Sequence, residues 1–174
     1  MVRPAGGLEI ERKYLIALPD EAVLTAQEGC VKVTMKQVYL RRDASGASRR
    51  VRRWEENGVV DYHYTEKRRI SAVTREETER EITREEFERL QQEADPRCGV
   101  IEKTRYRIPY RGQLVEIDVF PFWQKQALLE VELESERQEV FLPPYVTLLR
   151  EVTEEARYTN HAIARQIPAE EDCV

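Results

Sequence analysis

Glu9-Ile10-Glu11-Arg12-Lys13 sets acid, acid and base at alternate positions near the start of the chain. Alternate side chains of a β-strand share a face, so Glu9, Glu11 and Lys13 line one surface while Ile10, Arg12 and Tyr14 line the other. Two like charges become neighbours, which is unfavourable unless water, a cation or an opposing wall of charge compensates them. The stretch is a candidate metal site, and it restricts the chain to folds that bring compensating charge to that face.

The same two-residue period recurs along the chain. It predicts strands near 8–16, 33–42, 48–55, 60–69, 75–83, 101–111, 113–121 and 127–136. Asp43-Ala44-Ser45-Gly46, Glu56-Asn57-Gly58 and Arg111-Gly112-Gln113 read as hairpin connections, so neighbouring strands run antiparallel. Thr83-Arg84-Glu85-Glu86 is a capping box that predicts a helix with Phe87 and Leu90 facing inward, ended by Asp95-Pro96. Further short helices are expected after Pro19-Asp20, after Pro143-Pro144, and from about Tyr158 to Gln166. The expectation is one α+β domain over 8–168, with short tails at 1–7 and 169–174.

Charge sorts by sign among these strands. Arg50 and Arg52 share one face, as do Lys103, Arg105 and Arg107; Glu77, Glu79 and Glu81, then Glu116 and Asp118, then Glu130, Glu132 and Glu134 form acidic faces. An open sheet with one wet side also alternates. One sign per strand, however, creates repulsion along each face. A closed antiparallel barrel removes the conflict if the charged faces point inward, acidic wall against basic wall, and the apolar faces pack outward against helices. Such a lumen offers carboxylates to a divalent cation and arginines and lysines to a polyanion, the two requirements of a metal–polyphosphate complex.

Composition narrows the function classes. With 174 residues there is room for one well-buried core, and the net charge of −5 argues against a general nucleic-acid binder. Cys30, Cys98 and Cys173 are odd in number and form no C-x-x-C pair, so a cytoplasmic setting without a disulfide framework or zinc site is expected. No run reaches membrane-span length, and the first residues lack a signal-peptide core. His63 and His161 have no ligand-like spacing and read as surface or packed histidines. No Gly-rich phosphate loop occurs, which leaves side chains as the anion cradle.

Glu9-Ile10-Glu11-Arg12-Lys13 resembles the E-x-E-x-K signature that opens the CYTH proteins, or triphosphate tunnel metalloenzymes, and most nearly their bacterial inorganic triphosphatases. The similarity continues in order through Gln37-Val38-Tyr39-Leu40, Arg50-Val51-Arg52, Thr65-Glu66-Lys67, Glu77-Thr78-Glu79, Glu102 to Tyr106, Glu116 to Phe120, Glu130-Val131-Glu132 and Val152-Thr153 with Arg157-Tyr158. The resemblance implies an eight-stranded antiparallel tunnel. It implies a metal-binding acidic face of Glu9, Glu11, Glu130 and Glu132, assisted by Asp118, holding Mg²⁺ or Mn²⁺. Lys13, Arg50, Arg52, Lys67, Lys103 and Arg105 would hold the phosphate chain, and Lys13 with Tyr39 would act in catalysis. The implied activity is metal-dependent hydrolysis of inorganic tripolyphosphate to pyrophosphate and phosphate by a monomer or homodimer. Thiamine triphosphate, nucleoside triphosphates and cyclase chemistry remain alternatives within the superfamily, and a non-catalytic polyphosphate-binding module remains an alternative outside enzymes.

Overall fold

The computed structural model describes residues 7–171; of the tails expected at 1–7 and 169–174, residues 1–6 and 172–174, with Cys173, lie outside the described residues. Among the described residues nine strands form one sheet: β1 (Gly7–Ala17), β2 (Val31–Leu40), β3 (Ser48–Glu56), β4 (Val59–Arg69), β5 (Thr74–Ile82), β6 (Ile101–Tyr110), β7 (Gln113–Val119), β8 (Gln126–Glu132) and β9 (Leu148–Glu151). The order is β5-β4-β3-β2-β6-β7-β8-β1-β9, and a further β5–β1 pairing closes eight of the strands into an antiparallel barrel. The closing seam is short, running from Gly7↔Glu77 to Ile10↔Thr74. Beyond it β1 pairs instead with β9, at Tyr14 to Ile16, so the wall is open between β1 and the β4–β5 hairpin.

Two of the predicted hairpins show why the register is fixed. Asn57 and Gly58 have φ of 50° and 78°, and Arg111 and Gly112 have 50° and 74°, the left-handed pairs that a two-residue turn needs between twisted strands. The third link is held by Asp43, whose Oδ1 accepts the Ser45 amide at 2.9 Å. Those turns set Arg50 opposite Tyr39 and Arg52 opposite Gln37, all on the inner face.

Outward-facing apolar side chains form two clusters. Tyr14, Ile16, Tyr106, Ile108, Val115, Ile117, Leu129 and Val131 pack with Leu24 of α1 (Glu21–Thr25), which Asp20 caps through its 2.8 Å bond from the Ala22 amide. Val38, Leu40, Val51 and Ile82 pack with Phe87 and Leu90 of α2 (Arg84–Leu90). Thr83 caps α2 as predicted, accepting the Glu86 amide at 3.1 Å, while the Glu86 carboxylate pairs with Arg80 at 2.7 Å.

The third cluster lies at one end of the barrel's interior. Leu15, Tyr39, Ile101, Phe120 and Leu128 share strand faces with the lumen charges, yet they pack against Tyr158, Ile163 and Ala164 of the C-terminal segment. There α3 (Asn160–Arg165), capped by Thr159, plugs the barrel rather than covering its outside. The plug is fastened by Glu171, which accepts from Tyr158 Oη at 2.9 Å and from Arg150 at 2.6 Å, and by Trp123 Nε1 donating to the Pro168 carbonyl at 2.9 Å.

One expectation is overturned: no helix follows Pro143-Pro144. The chain makes a turn there, with the Val146 amide reaching the Pro143 carbonyl at 3.3 Å, and enters β9. Four residues are too few to show alternation, and β9 exists because β1 offers an unpaired edge. Among the described residues no helix is long and apolar enough to cross a membrane.

Candidate active site

Side chains of both signs converge in a cavity of about 190 Å³ inside the barrel, lined by Glu9, Glu11, Arg50, Arg52, Lys67, Glu77, Glu79, Arg105, Glu116 and Glu130 among others. Each residue arrives there by strand alternation. Glu9 and Glu11 come from β1, the arginines from β3 and β6, and Glu130 from β8, where it lies opposite Lys13 on one side and Glu116 on the other. Trp54, His63 and Arg107 frame one mouth. The Arg107 guanidinium sits 5.7 Å from the Trp54 ring.

The two walls neutralise each other. Lys13 Nζ lies 2.9 Å from Glu130, Arg105 Nη2 3.1 Å from Glu130, and Lys67 Nζ 2.7 Å from Glu9 and 2.9 Å from Glu77. Arg52 bonds Glu79, which also accepts from Thr65 Oγ1 at 3.0 Å. Lys13 is held further by donating to the Tyr158 carbonyl at 3.3 Å, while its own amide donates to Thr153 Oγ1 at 3.0 Å. The Val152-Thr153 signature thus fixes β1 and the register of Lys13.

Asp118 and Lys103 lie behind this cavity rather than on its surface. Asp118 is wholly buried; it accepts from Lys103 Nζ at 2.6 Å and from Arg105 Nε at 2.7 Å. It acts as the anchor that aims Arg105 into the lumen. Glu116, named in the sequence only as part of an acidic face, bonds both Arg105 and Arg107, the latter at 3.2 Å. Glu132 lies opposite Glu11 in register and lines an adjoining cavity that shares Glu9, Glu77 and Glu79 with the first.

Burial and neighbouring charge perturb the site in opposite senses. Burial, then Glu130 and Glu9, push Glu11 up to about 7. Burial opposes ionisation of Glu130, but Lys13 and Arg105 outweigh it and hold Glu130 well below the usual carboxylate range. Glu79 is likewise resisted by burial yet drawn down to about 2 by Arg52 and Arg50. Burial pushes Lys103 down to about 7 against the attraction of Asp118. Burial and carboxylate repulsion therefore outweigh the cations near Glu11, with Arg75 3.8 Å away, whereas at Glu130 the paired cations prevail.

A second lobe of about 380 Å³ shares Glu11, Arg50, Lys67 and Asn160 with the first and opens through the gap beside β1. Lys13 and Tyr39 both line it, with Arg42, Arg68, Arg69, Arg75 and His161. Tyr39 is buried, stands across from Arg50 in register, and packs its ring 5.0 Å from His161. Among the described residues Glu11 is the single carboxylate lining this lobe, so the tunnel is electrically polar: acidic and mixed at the Trp54 mouth, basic at the β1 gap. Asn160, which the sequence did not single out, accepts from Lys103 Nζ at 3.1 Å where the lobes meet.

No family model matches the chain. It is 37% identical over 164 residues to the inorganic triphosphatase of Nitrosomonas europaea, an alignment spanning 92% of this chain and 99% of that protein. This chain belongs to the inorganic triphosphatases of the CYTH superfamily. The crystal structure of the inorganic triphosphatase NE1496 superposes with a TM-score of 0.57 at 34% identity, covering 92% of this chain and 100% of that one. The PH1819 protein from Pyrococcus horikoshii shares the fold at a TM-score of 0.54 and 22% identity, covering 74% of this chain and 80% of that one.

Tunnel triphosphatases depend on a metal ion, and the donors of this triphosphatase suit a hard divalent cation. Glu9, Glu11 and Glu130 supply only carboxylate oxygens, and burial together with Glu130 and Glu9 raises Glu11, so a cation there would relieve the cost of its charge. Among the described residues no group of three such side chains is gathered into a ready cage. Glu9 and Glu130 are turned toward Lys67, Lys13 and Arg105 instead, so holding a cation requires those pairs to exchange partners.

Proposed function

We propose that this triphosphatase hydrolyses inorganic tripolyphosphate to pyrophosphate and phosphate in its barrel lumen, with Mg²⁺ or Mn²⁺ bound by Glu9, Glu11 and Glu130. The observation that carries the reading is the two-signed lumen, in which Arg50, Arg52, Lys67 and Arg105 face those carboxylates across one cavity. A cation–triphosphate complex matches both walls at once: the anion takes the basic side chains and the acidic ones are released to the cation. Each ion pair broken is replaced by a charge-assisted contact of the same kind, so the walls open without leaving buried charge alone.

The bound cation would polarise a phosphoryl oxygen and lower the pKa of the attacking water. The chain's own residues do the rest. Arg50, Arg52 and Arg105 fix the chain of phosphates through guanidinium forks, and Asp118 and Glu116 hold Arg105 in that orientation. Lys13, released from Glu130, neutralises charge on the transferred phosphoryl group, and Tyr39, which lines the basic lobe beside Lys13, donates to the same group. The α3 plug closes one end of the lumen to bulk water. The cradle of Lys13, Arg50, Arg52, Lys67 and Arg105, with Lys103 behind it as a buried charge beside Asp118, suits a bare phosphate chain.

Side-by-side phosphate release from tripolyphosphate and ATP tests the substrate. Faster turnover of tripolyphosphate is expected. Equal or faster turnover of ATP, or cyclic AMP among its products, would overturn the choice.

A further inference from the structure

Gln37 is fully buried on the inner face of β2, and neither Oε1 nor Nε2 has a hydrogen-bond partner. An amide in that state costs the protein its full desolvation penalty unless the fold reserves it for something absent from the free chain. Its surroundings indicate what that is. Gln37 stands directly across from Arg52, and Tyr39, two residues on along the same face, stands across from Arg50. The Nε–H groups of both arginines are also buried without partners. On the other flank Gln37 pairs with Ile101, and Lys103 follows on the same face of β6. Three neighbouring residues of the inner face therefore carry unsatisfied polar atoms, with Arg50 and Arg52 lining the cavity and Gln37 fully buried beside Arg52 in register.

We propose that Gln37 is a phosphate-contacting residue of this tunnel. Its Nε2 donates to a phosphoryl oxygen while its Oε1 accepts Nε–H from Arg52, so that one neutral group both touches the anion and aims the guanidinium beside it. The inference rests on the lumen's role as an anion site and deepens the function proposed above. A neutral amide fits this place for a physical reason. A further lysine or arginine would add repulsion to Arg50 and Arg52, and burial with Arg50's charge already disfavours the charged form of Arg52. Gln37 supplies a donor without charge.

Two variants and a panel of anions test it. Gln37→Met keeps length and apolar volume but removes both polar atoms; Gln37→Glu keeps the acceptor and turns the donor into a negative charge. Wild type and both variants are titrated calorimetrically with phosphate, pyrophosphate, tripolyphosphate and ATP in the presence of chelator, which reads anion binding apart from metal and turnover. Gln37→Met is expected to melt at or above the wild type, because a desolvated amide has gone. It should bind the preferred anion about ten- to a hundredfold more weakly. Gln37→Glu should bind it more weakly still. With Mg²⁺ or Mn²⁺ supplied, Gln37→Met should lose turnover in proportion to that affinity. A Gln37→Met protein that binds every anion as the wild type does would overturn the proposal and reduce Gln37 to a buried structural amide. Retained affinity in Gln37→Glu would overturn the donor role of Nε2. Preference for an anion other than tripolyphosphate would overturn the substrate choice while the variant effects still decide Gln37, and a wild type that neither binds any of the four with chelator nor turns any over with Mg²⁺ or Mn²⁺ overturns both.

Discussion

Lys13 and Glu130 lie opposite each other on adjacent strands, and their side chains meet at 2.9 Å inside the barrel. Glu130 also receives Arg105, so its charge is held by two cations, whereas Glu11, two residues before Lys13 on the same strand face, is pressed by Glu130 and Glu9. The two carboxylates are therefore unequal in what they do for the free protein. Glu130→Gln strips a buried charge from two partners and should destabilise the fold by about 3 to 5 kcal/mol. Glu11→Gln removes repulsion and should leave the melting temperature unchanged or raise it. Thermal denaturation of the two variants without metal checks the contrast; equal losses would contradict it.

The raised Glu11 gives a signed pH dependence. Its folded pKa of about 7 lies above the ordinary 4.5, so its contribution to stability is fully present below about 4.5 and is lost as pH rises through about 7. A cation takes the proton's place, so stabilisation by Mn²⁺ should grow between about pH 6 and pH 8, one unit on either side of that value. Melting curves with and without Mn²⁺ across that range read the effect. In Glu11→Gln the pH dependence of the Mn²⁺ shift should flatten.

Glu79 works in the other direction. Its pKa falls from 4.5 to about 2, so its contribution is present above about 4.5 and disappears as pH falls through about 2. The melting-temperature gap between wild type and Glu79→Gln should be wide at neutral pH and should close on acidification. A gap independent of pH would mean that Arg52 does not depend on the Glu79 charge.

Much of this site is legible in the sequence because β alternation is local. Glu9, Glu11 and Lys13 declare a shared face within five residues, and the Asn57-Gly58 and Arg111-Gly112 turns fix how neighbouring strands meet. What depends on distant partners is not legible. The roles of Asp118 and Glu116 as holders of Arg105 follow from β6–β7 register, which places Arg105 against Asp118 and Arg107 against Glu116. Ile163 and Ala164 predict a helix but not that it enters the barrel end against Leu15 and Phe120. Asn160 belongs to the site because that helix begins beside Lys103, and β9 exists because β1 leaves an edge for it.

The polarity of the tunnel predicts a direction of approach. Arg42 and Arg69 line the basic lobe from exposed positions, so they should draw an anion in through the gap beside β1. Replacing both by Ala should lower kcat/KM for tripolyphosphate by about tenfold at low ionic strength and much less at 1 M salt, where screening acts within about 3 Å. A loss independent of salt would place these arginines in contact with bound substrate instead.

Phosphate release from tripolyphosphate by wild type and Glu11→Gln, each with Mn²⁺, with Mg²⁺ and with chelator, tests the two-signed lumen most directly. The prediction is rapid release by wild type with cation, none with chelator, and a loss of about a hundredfold or more in Glu11→Gln although that protein folds at least as stably, a deficit of about 2.7 kcal/mol in transition-state stabilisation. Cation-independent release, or a Glu11→Gln protein as active as wild type, would contradict the account.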